Sequence, residues 1–160
     1  MTTTKKCRES FFAIAKGCGF SNVDSVSAFD HALIDAGIGN CNLVPVSSII
    51  PAGALRLEHV PDLAPGTIVH CVLAKLLVHS NETGVVCLGY SLTNEYGIVA
   101  ETSGIDSIET NERCARMLKE MASKRPGQFC DPVIEVQQVE CGENKHACGL
   151  VVLLLISSVP

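Results

Sequence analysis

Close to its C-terminal end the chain carries LVVLLLI, Leu150 to Ile156, a run of apolar residues with nothing polar inside it. Such a run must leave water on folding, yet it is far shorter than the roughly 18 apolar residues that a membrane-spanning helix needs. It therefore reads as a core strand. A strand of this kind needs partners, and the rest of the chain supplies them. SFFAIAKGCGFS is apolar and then broken by glycines, the pattern of a strand leading into a loop. Residues 67–79, 84–91, 97–102 and 133–139 are rich in Val, Ile and Leu and are separated by turn signals such as SNETG and TNEYG. The final strand covers 147–156, with 133–139 as its hairpin partner or near neighbour across CGENKHACG.

Two segments follow a helical period instead. Val26, Phe29, Ala32, Leu33 and Ala36 recur on one face, which predicts a helix over 27–36, with Ser27 and Asp30 as a capping box and Gly37 as the stop. Ile108, Cys114, Ala115, Leu118, Met121 and Ala122 predict a second helix over 107–123, ended by RPG. Between them, 42–50 is rich in strand formers, and Pro45 within it favours an edge, a bulge or a strand entry. The sum is a strand-rich α/β mixture in which helices cover sheets. A length of 160 residues fits one domain that buries about two thirds of the surface exposed by its unfolded chain. A hydrophobic fraction of 47% against 18% charged residues argues for a compact fold and suits a large buried interface equally well.

The net charge of −5 offers no basic face for nucleic acid or an anionic membrane, so neither is expected as a partner. Nine cysteines without a C-x-x-C pair suggest reduced thiols in a cytoplasm rather than a disulfide framework. The opening MTTTKKCRES lacks the apolar core of a signal peptide, so export is not expected.

Ser47 and Ser48 stand side by side in the otherwise apolar VPVSSIIP. A buried hydroxyl without a partner costs about 1–3 kcal/mol, so the pair calls for a reason. The surrounding AFDHALIDAGIGNCNLVPVSSIIP, Ala28 to Pro51, resembles the self-processing region of pyruvoyl-dependent arginine decarboxylases, whose pattern is A-F-D-x-A-L-x-x-A-G-I-G-N-x-N-L-x-x-x-S-S-I-x-P. The later order of a G-I-x-x-E strand, a long helix and a terminal apolar strand fits as well. The resemblance implies a four-layer αββα sandwich of the pyruvoyl-dependent histidine/arginine decarboxylase type. It also implies a homo-oligomer, a trimer or a dimer of trimers, with sites between protomers.

The same resemblance implies that the Ser48 hydroxyl attacks the Ser47 carbonyl and that the single domain is cut into residues 1–47 and 48–160. Residue 48 is left as a pyruvoyl group, an internal electron sink that makes pyridoxal phosphate unnecessary. A serine hydroxyl is a weak nucleophile, so the attack needs a strained peptide and a donor at the oxygen that becomes negative. Asn42 matches the family's processing asparagine, although on its own it reads as a turn or strand-entry residue. Glu101, in GIVAETSG, matches the acid that returns a proton to the substrate carbon; Thr102 follows it where family members often carry an aromatic residue. Asp30 matches the carboxylate that receives the guanidinium of L-arginine, and Leu33 and Val99 match apolar walls for its methylenes. The implied reaction yields agmatine and carbon dioxide and feeds polyamine synthesis.

Two alternatives stand beside this reading: the same chemistry on another amino acid such as histidine, or an unprocessed subunit with an assembly or regulatory role. No metal is expected, since the spacing of Cys141, His146 and Cys148 matches no common zinc pattern. His31, His70 and His79 read as surface or satisfied strand residues. Cys41, beside Asn42, is a candidate for thiol sensitivity.

Overall fold

A computed structural model describes residues 10–157. The reading of MTTTKKCRES as lacking a leader lies almost wholly outside the described residues. Eleven elements follow one another: β1 (Phe11–Ser21), α1 (Ser25–Asp35), β2 (Asn42–Pro45), β3 (Ile49–Ile50), β4 (Leu55–Arg56), β5 (Ile68–His79), β6 (Thr83–Leu92), β7 (Gly97–Gly104), α2 (Ser107–Ser123), β8 (Val133–Glu140) and β9 (His146–Ile156). They form a five-stranded sheet in the order β2-β5-β9-β1-β4 and a four-stranded sheet in the order β3-β7-β6-β8.

The uninterrupted apolar character of β9 follows from its position at the centre of the larger sheet. Leu150, Val152, Leu154 and Ile156 face the core beneath α1, whereas Val151 and Leu153 face the second sheet. β6 is used in the same way: Val86, Leu88 and Tyr90 point into the space between the sheets, and Val85 and Cys87 point to the core beneath α2. A strand with a helix on one side and a sheet on the other has no solvent face, so alternation disappears from its sequence. The layers run α1, five-stranded sheet, four-stranded sheet, α2, the αββα arrangement expected. Among the described residues no helix is long and apolar enough to cross a membrane.

Four local expectations are corrected. β1 does not stop at its glycines but continues through Gly17 and Gly19 to Ser21. A Cβ on Gly17 would strike the Ala32 carbonyl oxygen, and one on Gly19 would strike Ala28 and Ala32 backbone atoms. The glycines thus allow α1 to lie directly on the strand. α1 begins at Ser25, and its N-cap is Asp24, whose Oδ1 accepts from the Ser27 N–H at 2.7 Å. Ser27 and Asp30 therefore form no capping box, because Ser27 is already inside the helix. Residues 42–50 are not one strand: β2 is an edge of the larger sheet and β3 an edge of the smaller. Finally, of the two relations expected for β8 and β9 the hairpin is absent, since β8 pairs with β6 in one sheet while β9 pairs with β1 and β5 in the other, and the two strands are near neighbours across the sheet interface.

Candidate active site

The Ser47–Ser48 peptide lies where the chain changes sheets. Before it, Pro45 is in register with Cys71 of β5, and the Val46 N–H donates to the Cys71 carbonyl at 2.9 Å. After it, the Val99 N–H of β7 donates to the Ser48 carbonyl at 3.0 Å, and Ile49 lies opposite Ile98. Each flank is thus fixed to a different sheet. Pro45 suits this place because an edge strand tolerates a missing N–H. Within the crossing, the Ile49 N–H donates to the Ser47 carbonyl at 2.9 Å, closing a three-residue γ-turn centred on Ser48. Ser48 does not adopt positive φ, so no left-handed strain is stored at the peptide. Ser47 is exposed and Ser48 half-buried. Ser47 and Ile49 line a cleft of about 340 Å³ together with Phe11, Pro51, His70 and Leu155.

Glu101 reaches this region through β7. Ser48 is held at Val99, and Glu101 is two residues farther along the same strand, about 7 Å in extended chain and with its side chain on the same face as Val99. Glu101 is exposed on its strand, yet partial desolvation of its carboxyl raises the pKa. Burial and, second, the Glu101 carboxylate push the thiol of Cys71, the β5 residue that anchors Val46, up to about 11. Glu101 also borders a cleft of about 420 Å³ with Leu73, Lys75, Ser103, Arg113 and Met117. Arg113 of α2 donates to the Ser103 carbonyl there. Thr102 turns to the other side of β7, where its hydroxyl donates to the Thr110 carbonyl at 3.2 Å beneath α2.

The remaining residues singled out by the sequence are spread more widely. Val99 is fully buried between the sheets, and its backbone contacts Ser48. Leu33 is half-buried against the core beneath α1, and Asp30 is exposed on that helix. Asp30 thus belongs to the helix that covers the five-stranded sheet, and Glu101 to a strand of the four-stranded one. Asn42 Nδ2 donates to the Gly66 carbonyl at 3.0 Å, closing the loop before β5. Cys41 borders a separate cleft with Ile34, Val60 and Leu63.

His31 Nδ1 meets the Phe20 carbonyl at 2.7 Å, and His79 meets His146, Nδ1 to Nδ1, at 3.0 Å. Cys148 is buried beneath α1, and Cys141 belongs to a small cluster with Val78, Val139 and Ala147. Among the described residues no group of three or more His, Cys, Asp or Glu side chains is gathered where it could hold a metal. The Ile49 N–H at the Ser47 carbonyl and the Lys75 ammonium 4.3 Å from the Phe29 ring centroid were not foreseen. The first is a local turn whose conformation no residue signal announces, and the second joins residues that only tertiary packing brings together.

The fold and site together define an αββα sandwich with a serine pair where the chain passes between its two sheets and an acid on the adjoining strand. The chain belongs to the pyruvoyl-dependent arginine decarboxylase family, whose model matches residues 11–160. A pyruvoyl-dependent arginine decarboxylase of Methanopyrus kandleri is 41% identical over 129 residues, covering 80% of this chain and 81% of that one. One from Methanothermobacter thermautotrophicus is 30% identical over 137 residues, covering 82% and 85%. A third, from Thermococcus kodakarensis, is 36% identical over 107 residues, covering 64% and 67%.

Proposed function

We propose that this chain cuts itself between Ser47 and Ser48 and then decarboxylates L-arginine to agmatine and carbon dioxide. The observation that carries the reading is the position of that peptide: it is exposed, tied to one sheet on each side, and two strand residues from an acid whose pKa burial raises. The family and its named relatives supply the chemistry.

Ser48 fits as the precursor of a pyruvoyl group because it is half-buried beside an open cleft and its carbonyl is fixed by Val99. Once formed, that group supplies the electron sink for the carbon–carbon bond that breaks. Glu101 holds the proton that is delivered to the former α-carbon; although the residue is exposed, partial desolvation of its carboxyl keeps it protonated to a higher pH than full solvation would. Asp30 receives the guanidinium through two parallel hydrogen bonds. As the family resemblance implies sites between protomers, the complete site takes Asp30 from one copy and Glu101 from another. The protein accordingly works as a trimer or a dimer of trimers. Leu33 lines the path of the substrate's methylenes, and Val99 positions the peptide they approach. The enzyme acts in the cytoplasm, and its product enters polyamine synthesis.

The test is an intact mass spectrum under denaturing conditions, followed by product analysis with arginine and histidine. Two chains, 1–47 and 48–160, with the second lighter by one ammonia than a serine-started chain, and agmatine formed from arginine alone, are expected. Ser47→Ala is expected to remain competent for cutting, since Ser47 gives only its carbonyl, whereas Ser48→Ala stays whole. An uncut wild-type chain of 17.0 kDa would sink the reading.

A further inference from the structure

We infer that the backbone N–H of Ile49 is the oxyanion donor for self-cleavage at Ser47–Ser48, an inference that rests on the self-cleavage proposed above. The N–H already lies 2.9 Å from the oxygen on which negative charge would develop, within the 2.7–3.1 Å span that stabilises an oxyanion. The sheet pairing leaves it free for this use. Ile49 lies opposite Ile98, and the bond from β7 is taken by the Ser48 carbonyl, so the Ile49 N–H faces away from β7 and toward Ser47. β3 is an edge strand, with no second neighbour to compete for that donor. The side-chain donor Asn42 gives one of its two N–H groups to the Gly66 carbonyl at 3.0 Å, and no hydrogen bond joins it to the Ser47 carbonyl among the described residues.

In the step itself, the Ser48 Oγ forms a bond to the Ser47 carbonyl carbon and its proton passes to water in the cleft. The carbonyl electron pair moves onto oxygen, where the Ile49 N–H meets it. When the pair returns, the bond from carbon to the Ser48 nitrogen breaks, and that nitrogen takes a proton from water. The product is an ester of Ser47 on the Ser48 side chain. Loss of the Ser48 Cα proton to water then expels the Ser47 carboxylate, leaving a dehydroalanine that adds water and releases ammonia.

The decisive experiment replaces residue 49 with the α-hydroxy acid analogue of isoleucine by nonsense suppression, which changes the N–H to oxygen and keeps the side chain. The appearance of chain 1–47 is followed by intact mass beside wild type, Asn42→Ala and Ile49→Val. Loss of one oxyanion donor slows such chemistry by about 100-fold to 1,000-fold. That slowing is expected for the backbone ester and not for Ile49→Val. A backbone ester that cuts at the wild-type rate, with circular dichroism confirming its fold, would overturn the inference while leaving self-cleavage intact. An unfolded ester protein is replaced by Ile49→Pro, which also lacks the donor and is read in the same way against its own spectrum. If neither variant folds, an N-methyl-isoleucine residue at 49 takes their place, for which wild-type-rate cutting again overturns the inference. An uncut wild-type chain would instead remove the proposed function on which it rests.

Discussion

Arg56 and Tyr90 join the two sheets across the interior edge: Nη1 of Arg56 donates to the Tyr90 hydroxyl at 2.7 Å. The same guanidinium donates to Glu135 at 2.8 Å, and Lys16 reaches the other Glu135 oxygen at 3.2 Å. β4, which carries Arg56, is only two residues long and follows the Ser47–Ser48 crossing closely in sequence. Its hold on the larger sheet is therefore reinforced by a contact to the smaller one.

Arg56→Ala is expected to destabilise the protein by about 1–2 kcal/mol, a charged hydrogen-bond contribution reduced for solvent exposure. The pH dependence distinguishes this cause from lost packing. Burial raises the Glu135 pKa, but the Arg56 and Lys16 hydrogen bonds outweigh it and hold the carboxyl below its usual range. A depressed carboxylate stabilises the fold above its unfolded pKa and loses that contribution as pH falls through the folded value. Thermal unfolding of wild type and Arg56→Ala should therefore differ most near neutrality and converge below about pH 4.

Gly19→Ala should be among the most damaging small substitutions in the chain. The added Cβ meets Ala28 and Ala32 backbone atoms, which cannot swing aside as a flexible side-chain end would. Displacing α1 costs about 1–3 kcal/mol or more and moves Asp30 and Leu33 with it. Urea unfolding is expected to show a lower midpoint with little change in slope, which places the effect in folded-state packing.

Glu101→Gln is expected to leave the chain cut and to lower arginine decarboxylation by about 100-fold to 10,000-fold. The sign of its pH effect follows from the burial that raises its pKa: the proton-bearing form persists to higher pH and is lost as pH rises further. Wild-type turnover should fall on the alkaline side, and Glu101→Gln should lack that limb. Retention of the limb in the variant would assign it to another group.

Asp30→Asn removes the charge proposed to receive the guanidinium and leaves α1 capped by Asp24. Its KM for arginine should rise about tenfold to a hundredfold, the range for a hydrogen bond to a charged group, with a smaller change in kcat. Processing, read by intact mass, should be unchanged.

The core strands and the span of α2 were legible because hydrophobic period and turn residues are local properties. β9 announced itself through LVVLLLI, and α2 begins and ends at the predicted residues, Ser107 and Ser123. The motif from Ala28 to Pro51 likewise identified the family before any fold was known. What local pattern could not specify was partnership. The glycines of β1 look like breakers until α1 is laid against them, and 42–50 looks like one strand until its halves are claimed by β5 and β7. By itself the sequence determined the family, most of the longer strands, the second helix and the residues with chemistry to offer, since these are written in residue type and spacing. Only the tertiary structure decided that the Ser47–Ser48 peptide hangs between two sheets, with Val46 held by β5 and Ser48 by β7, and that Asp30 and Glu101 belong to elements of different layers. Those relationships arise when hydrogen-bonding groups distant along the chain compete for the same partners, and the packed core selects one pairing.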